Sequence, residues 1–278
     1  MKSADAQRFA VNTYGYTMRF SARETIDHLA DMGFTAFELM MYPGHLWPSQ
    51  IDSAERRELR RHIASRNARL TTLNMPNIDI NVAAAAPEMR SYSLGVLRAI
   101  FELAADLEAP AVIVGPGKSN PLFGAPKPEL QQHFFAALDT LVPLSERTGV
   151  RICVENMPFA FLARIDELLA ALDSYGAADI GVVYDLANAH FVHEDVADGL
   201  RKAASRLALV HLSDTGFDVY RHDPVGQGSV PFDRAPAVLR EIGHREAPAL
   251  EIISPDADSG IRSSVAALMA LGWDSLAG

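Results

Sequence analysis

Short apolar segments alternate with longer amphipathic segments along the entire chain. The short segments are continuously apolar and rich in β-branched residues, which is typical of parallel strands buried on both faces of a sheet. They predict strands at residues 8–16, 36–40, 70–75, 111–115, 150–157, 180–185, 207–213 and 249–253. The segments between them have the period of amphipathic helices and predict helices at residues 21–32, 53–67, 88–107, 129–148, 165–175, 196–205, 232–242 and 261–271.

Eight consecutive strand–helix units predict an α/β protein with a single (β/α)8 TIM barrel that occupies residues 1–278 as one domain. A doubly wound open sheet is the alternative, but the sequence lacks the glycine-rich fingerprint that usually follows the first strand of such a sheet. Ser21 with Glu24 three residues later predicts a capping box at the start of the first helix. The longest segments without periodicity follow predicted strands, on the face where barrels place their substrate loops.

Composition and charge exclude several classes of partner. The chain has 49% hydrophobic and 22% charged residues, a net charge of −10 and a pI of about 5.3. An acidic surface disfavours binding to nucleic acid or to anionic membranes. The sequence contains no apolar stretch of about 20 residues, so we expect no membrane span. The single cysteine, Cys153, cannot form an internal disulfide; it fits a cytoplasmic protein and is expected to be a buried thiol.

Four polar residues stand at the ends of the last four predicted strands: Glu155, Asp185, His211 and Glu251. Because the carboxyl ends of parallel strands meet at one rim of a barrel, we expect these side chains to converge. Taken singly, each acid could instead cap a helix or pair with an arginine. Together, three carboxylates and an imidazole are a ligand set for one divalent ion. Mn²⁺, Mg²⁺ and Co²⁺ suit this oxygen-rich set, and Zn²⁺ is an alternative.

The motifs around these residues resemble those of the xylose-isomerase-like TIM-barrel superfamily, which includes ketose 3-epimerases, inosose dehydratases and endonucleases of the endonuclease IV type. The resemblance covers nearly the whole chain. The motifs that carry it are Val154-Glu-Asn-Met-Pro158, Val183-Tyr-Asp-Leu-Ala-Asn188, His211-Leu-Ser-Asp214 and His222-Asp-Pro-Val-Gly-Gln-Gly228.

The resemblance to the ketose 3-epimerase branch implies a site and a reaction. Glu155, Asp185, His211 and Glu251 would bind the metal, with Mn²⁺ the first expectation, and Glu155 and Glu251 would also transfer the substrate proton. The implied enzyme is an isomerase or epimerase of a polyhydroxy aldehyde or ketone, a sugar or a cyclic polyol derivative, that acts through a metal-stabilised enediolate.

Further residues of the C-terminal half are candidates for substrate contacts. His190 lies five residues after Asp185, where the family often has a substrate-contacting histidine at somewhat closer spacing. His222 precedes a Gly-Gln-Gly turn, and Arg221 beside it could hold a substrate oxygen or an anion. Asp214 is expected to orient His211 or Arg221 as a hydrogen-bond acceptor, since metal-bound imidazoles usually have one. The alternatives are ordinary loop residues and, for Arg221, a solvated charge.

Candidates also come from the other strands and from one departure from the family pattern. Asn12, Tyr14, Glu38, Asn74 and Asn156 lie at predicted strand ends and could line the pocket. Ketose 3-epimerases typically have a sugar-contacting glutamate six residues after the fifth-strand glutamate, whereas this chain has Phe161. An aromatic or glycosidic substrate, or a partly apolar cyclic polyol, therefore fits better than a plain ketose.

Three other functions are alternatives to the isomerase. A three-zinc endonuclease needs histidines at the ends of the third and fourth strands, where this chain has Asn74 and Gly115, so DNA repair is disfavoured. A lyase resembling inosose or 3-dehydroshikimate dehydratases could use the same metal and glutamates to expel a β-hydroxyl. A non-catalytic metal-binding subunit would have little reason to keep both glutamates. The expected partner is a small carbohydrate-like molecule, and a homodimer or homotetramer is left open.

Overall fold

A closed barrel of parallel strands forms the centre of the molecule, in a computed structural model that describes residues 3–76 and 79–273. Each strand pairs with its neighbour in the chain, and the last strand pairs with the first. This order confirms the predicted (β/α)8 barrel. The strands are β1 Ala10–Asn12, β2 Ala36–Met40, β3 Arg69–Asn74, β4 Ala111–Val114, β5 Arg151–Glu155, β6 Gly181–Asp185, β7 Leu207–Leu212 and β8 Ala249–Leu250.

Helices surround the barrel and connect its strands. The described α-helices are α1 Ser3–Ala6, α2 Ala22–Asp31, α3 Ser53–Ser65, α4 Pro87–Leu107, α5 Lys127–Thr148, α6 Ile165–Tyr175, α7 Leu186–Phe191, α8 Val196–Ala203, α9 Ala235–Glu241 and α10 Ala257–Ala270. The predicted capping box is present, because the Ser21 side chain and the Glu24 side chain each accept the backbone N–H of the other residue. Among the described helices, none combines the length and the apolar character needed to cross a membrane.

The core has an outer and an inner part. Most buried apolar side chains lie between the strands and the helices. A smaller inner cluster fills the barrel with mostly small side chains, namely Ala10, Ala36, Ala111, Ile113, Cys153, Val183, Leu209 and Ala249. Cys153 is buried there as expected, and burial raises the pKa of its thiol to about 12. The thiol is therefore protonated and unreactive.

Two segments at the C-terminal rim of the barrel differ from the sequence prediction. Residues 8–16 were predicted as one strand, but β1 ends at Asn12 and a 3₁₀ helix follows at Tyr14–Tyr16. The Asn12 side chain accepts the N–H of Tyr14, and this local bond turns the backbone away from the sheet. The sixth loop contains the additional short helix α7, which begins directly after β6 because Asp185 caps it.

Candidate metal centre and substrate cavity

The ends of β5 to β8 bring four polar side chains together. Glu155 and Asp185 are the last residues of β5 and β6, His211 is the penultimate residue of β7, and Glu251 directly follows β8. Each offers one ligand atom, and these atoms all lie within 4.8 Å of one another. All four residues are buried. The convergence is as the strand positions predict, and the role of these residues as metal ligands stays a prediction.

Two of the three carboxylates of this cluster are each held through one oxygen and present the other. Oδ1 of Asp185 accepts the N–H of Asn188 at 2.7 Å, and Oε1 of Glu251 accepts the Asn12 amide at 3.1 Å. Their second oxygens, Asp185 Oδ2 and Glu251 Oε2, are buried and accept no well-aligned hydrogen bond within the described part of the chain. They lie 3.9 and 3.2 Å from Nδ1 of His211. Because buried oxygens without partners are costly, a divalent cation fits this donor set.

The pKa values of the two glutamates of the cluster shift in opposite directions. Burial raises the pKa of the Glu155 carboxyl to about 7. Burial also acts to raise the pKa of Glu251, but the nearby His222 and His211 outweigh it and lower that pKa to about 2. For Asp185, burial and the Glu251 and Glu155 charges together raise the pKa well above its usual range. The Glu155 carboxyl therefore holds its proton to a higher pH than the Glu251 carboxyl does.

Glu38 holds His211 from the side opposite the cluster. Its Oε2 lies 3.1 Å from Nε2 of His211, and both side chains are fully buried. The Glu38 carboxylate also accepts hydrogen bonds from the Asn12 and Asn74 amides and from the Thr72 hydroxyl. An acceptor at Nε2 leaves the lone pair of Nδ1 for the cluster. Glu38 was predicted to contact substrate, and the structure corrects this: β2 directs it into the barrel, behind His211.

Asp214, predicted as an acceptor for His211 or Arg221, has a different place. Its carboxylate accepts the backbone N–H groups of Thr215, Gly226 and Val230. These bonds shape the long loop after β7, and Gly228 is required there because a Cβ would lie 2.4 Å from the carbonyl oxygen of Thr215. The acceptor that orients His211 is therefore Glu38, and Asp214 organises the loop.

We expect Glu38→Gln to lower the affinity for Mn²⁺ by about 10- to 100-fold, the usual effect of losing a partner that orients a metal ligand. The amide removes the charge that holds His211 and presents a donor towards Asn12 and Asn74. Calorimetric titration of the metal-free protein measures the change. Glu194→Gln is the matched control, since Glu194 is also buried but bonds to Tyr184 and to the N–H of Ile165. Equal Mn²⁺ affinity in the two variants would contradict the role assigned to Glu38.

Metal affinity is expected to rise with pH around neutrality. Burial acts to lower the pKa of His211, but the carboxylates of Glu38 and Glu251 outweigh it and hold that pKa well above its usual value. With the Glu155 pKa near 7, binding must displace protons from His211 and Glu155. Below pH 7 the apparent affinity should therefore fall by about tenfold or more per pH unit. Mn²⁺ titrations at pH 6, 7 and 8 check this, and an affinity independent of pH would contradict it.

A cavity of about 340 Å³ opens beside the cluster at the C-terminal rim. Its polar lining includes the predicted residues Glu155, Glu251, Tyr14, Asn74 and His222, together with Asn81, Lys118, Asn188 and Tyr220. Its apolar lining includes Met40, Met75, Pro76, Ile80, Val82, Met157, Pro158, Phe159, Ala160 and Ile253. A cleft of this size beside a buried charged cluster is suited to a small molecule.

His222 reaches the cavity because the loop after β7 folds back on itself. The backbones of Asp214 and Asp223 exchange two hydrogen bonds of 2.8 Å, and the carbonyl of His222 accepts the N–H of Ile253. Nδ1 of His222 lies 3.5 Å from Oε2 of Glu251. Burial lowers the pKa of His222, although the nearby Glu251 carboxylate acts to raise it.

Other predicted substrate contacts lie outside the cavity lining that the structure describes. His190 bonds to the Ser229 hydroxyl at 2.8 Å and packs on Phe217, with ring centres 4.2 Å apart. The Arg221 side chain is 61% exposed. Phe161 is buried and packs edge-on against Phe134. Asn12 is also buried, and its amide joins Glu38 to Glu251 beneath the cavity.

Three cavity residues did not emerge as candidates from the sequence. The Asn188 amide donates to Oε1 of Glu155 at 3.3 Å, and the Tyr220 hydroxyl donates to Oδ1 of Asn188 at 2.6 Å. The same hydroxyl lies 2.6 Å from Nε2 of His222, and Phe159 packs against the Tyr220 ring. Asn188 ends the motif that begins at Val183, and this position was the available signal for it. Tyr220 and Phe159 lie in loops whose sequences have no period.

The family to which the chain belongs follows from its sequence as well as from its barrel. Residues 26–271 match the family of xylose isomerase-like TIM barrels, and the protein is a member of that family. Protein MJ1311 of Methanocaldococcus jannaschii is 26% identical over 231 residues, which are 81% of this chain and 76% of that protein. The probable endonuclease 4 of Mycobacterium leprae is 29% identical over 202 residues, which are 68% of this chain and 74% of that protein.

Solved structures share the barrel at low sequence identity. A D-tagatose 3-epimerase-like protein superposes with a TM-score of 0.79 at 20% identity, over 94% of this chain and 98% of the other. The 3-keto-D-glucoside 4-epimerase YcjR of E. coli gives 0.78 at 17% identity, over 95% and 99%. An IolI protein with a bound zinc atom gives 0.79 at 16% identity, over 95% and 97%. At these identities the likeness establishes the fold.

Proposed function

We propose that the protein is a metal-dependent isomerase or epimerase of a keto-sugar or a related polyol derivative. One observation carries this proposal: two buried glutamates, Glu155 and Glu251, share one cation-binding cluster and both line a small-molecule cavity. The sugar epimerases among the structural neighbours support it.

The residues that would hold the metal are Glu155, Asp185, His211 and Glu251. Three carboxylates with one imidazole suit Mn²⁺ first, with Co²⁺, Mg²⁺ and Zn²⁺ as alternatives. When bound, such an ion polarises a carbonyl oxygen and the neighbouring hydroxyl oxygen of the substrate, which makes the adjacent C–H more acidic.

The glutamates then carry the proton. One carboxylate removes the proton from the carbon next to the carbonyl, and the electron pair of the broken C–H bond moves into an enediolate. The second glutamate, which begins the reaction protonated, gives its proton to the opposite face of that carbon and is left ionised, while the first glutamate is left protonated. The configuration therefore inverts and no atoms are gained or lost. The Asn188 amide, which bonds to Glu155, fixes the position of that carboxylate in the cavity wall.

The test is a screen in deuterated water with Mn²⁺-loaded protein. The panel contains ketoses, ketose phosphates, keto-inositols and keto-glycosides, together with an oligonucleotide that has an abasic site. Deuterium incorporation next to the carbonyl, with a new diastereomer detected by NMR, supports the proposal. Growth of ultraviolet absorbance from an enone identifies a dehydratase instead. Cleavage of the oligonucleotide, or tight metal binding without exchange on any sugar, overturns the proposed function.

A further inference from the structure

The cavity lining combines polar and apolar side chains. Its polar part includes the glutamates of the cluster with Asn188, which contacts Glu155, and His222, which lies beside Glu251. Its apolar part, the apolar wall, includes Met75, Ile80, Val82, Met157, Phe159 and Ile253. A free ketose has a hydroxyl on nearly every carbon, and burying hydroxyls without partners is unfavourable. The apolar wall therefore suits a part of the substrate that has few hydroxyls.

Two polar side chains, Asn81 and Lys118, also line the cavity, and neither is suited to bind several substrate hydroxyls. Asn81 is committed to the protein, because its side-chain oxygen accepts the N–H groups of Ala83 and Lys118 and its amide donates to the Lys118 carbonyl. The Lys118 ammonium is close enough to Asp79 to interact with its charge. A phosphate or carboxylate group at this wall would meet that acid as well as the ammonium.

An aromatic ring is held in place at this wall. The Phe159 side chain lines the cavity and is 60% exposed. The rings of Phe191 and Tyr220 hold it, with ring centres 6.0 and 5.4 Å from that of Phe159. The Tyr220 hydroxyl bonds to Asn188, which bonds to Glu155. The exposed aromatic face is thus fixed in position relative to a proposed catalytic carboxylate, which is a preformed surface for a ring of the substrate.

We infer that the substrate is a keto-glycoside whose aglycone is an aromatic ring: the sugar lies at Glu155 and Glu251, and the aglycone lies on Phe159 and the apolar wall. This inference rests on the proposed function and names its substrate class. The aglycone stays attached during the reaction, because the proton transfer next to the carbonyl breaks no glycosidic bond.

The experiment compares the phenyl and methyl glycosides of one keto-sugar with the free keto-sugar and its phosphate ester. Exchange of the C–H in deuterated water gives kcat/KM, and calorimetry gives binding separately. The phenyl glycoside should exceed the methyl glycoside by about tenfold or more in kcat/KM. Phe159→Ala should remove most of this preference, whereas Phe159→Tyr should keep it. The matched control is Phe217→Ala, since Phe217 is also exposed but packs on His190 and His193.

The outcomes separate this inference from the proposed function. Equal kcat/KM for phenyl and methyl glycosides, or a preference for the phosphate ester, overturns the inference and leaves the isomerase intact. Exchange on no sugar, together with phenyl-dependent binding that Phe159→Ala abolishes, supports the aglycone site and overturns the proposed reaction. Neither exchange nor binding with any sugar overturns both. Because Phe159 is mostly exposed, its variants should keep the thermal midpoint of the wild type, which a melting curve verifies.

Discussion

Replacement of Glu155 by glutamine is expected to reduce substrate C–H exchange by about 10²- to 10⁴-fold, the usual contribution of a positioned acid or base. The amide can neither give a proton to the substrate nor take one from it, while the shape of the side chain and its contact with Asn188 are nearly retained. The measurement is the rate of deuterium incorporation at saturating Mn²⁺, with the bound metal quantified in the same samples. The bound metal must be quantified because Glu155 is also a proposed metal ligand, so a loss of exchange could reflect a loss of metal.

Asp185→Asn is the matched control for this loss. Asp185 belongs to the same cluster, but the proposed reaction assigns it no proton. Added Mn²⁺ should therefore restore much of the exchange in Asp185→Asn once its site is filled. It should restore little in Glu155→Gln, where one of the two proton-transferring groups is missing. Full recovery of Glu155→Gln at high Mn²⁺ would show that this glutamate only binds the metal, and proton transfer would have to be assigned elsewhere.

The cluster was predictable from sequence because it depends on the ends of strands. Parallel strands of a barrel all end at the same rim, so a polar residue that closes an apolar run must lie there. Glu155, Asp185, His211 and Glu251 satisfy this rule with no knowledge of loop conformation. An error of a few residues in a boundary is also tolerated, since β8 is shorter than predicted and Glu251 still reaches the cluster.

The role of Glu38 could not be predicted in this way. It lies inside β2, paired with Asn12 of β1, and the pairing of β2 with β3 shifts register between Phe37 and Glu38. Whether a strand residue faces the cavity or lies beneath it depends on this register, which a single sequence does not contain. The three-dimensional pairing places the carboxylate against Nε2 of His211 instead of in the cavity.

The other incorrect sequence predictions concern residues in the loops. The sequence predicts a substrate contact for Phe161. In the structure, Phe159 lines the cavity, and Phe161 packs into the core. In the sixth loop, α7 begins at Leu186 and turns Asn188 towards Glu155, while His190 bonds to Ser229. In irregular segments, side-chain direction is set by hydrogen bonds and packing between distant residues, so no periodic pattern in the sequence reports it.

Removal of the metal is expected to abolish exchange and to lower the thermal midpoint of unfolding. The cluster contains three buried carboxylates, and Glu38 lies beside it. Without a cation, His211 is the one group of the cluster that can carry positive charge, and it lies between Glu155 and Glu38. A ligand at about 100 times its Kd stabilises the folded state by about 2.7 kcal/mol, which for a chain of this size corresponds to about 5 °C. Differential scanning fluorimetry after chelation, and again after each metal is added, measures the shift.

The two readouts should separate binding from catalysis. Zn²⁺ generally binds nitrogen and oxygen ligands more tightly than Mn²⁺, so it should give the larger thermal shift whichever metal supports the reaction. The working metal is the one that restores exchange. Asp185→Asn should show a smaller shift with every metal, because it lacks a charged ligand. If no divalent metal raises the midpoint of the wild type, then the buried oxygens of Asp185 and Glu251 have another partner, and the metal centre on which the proposed reaction depends does not exist.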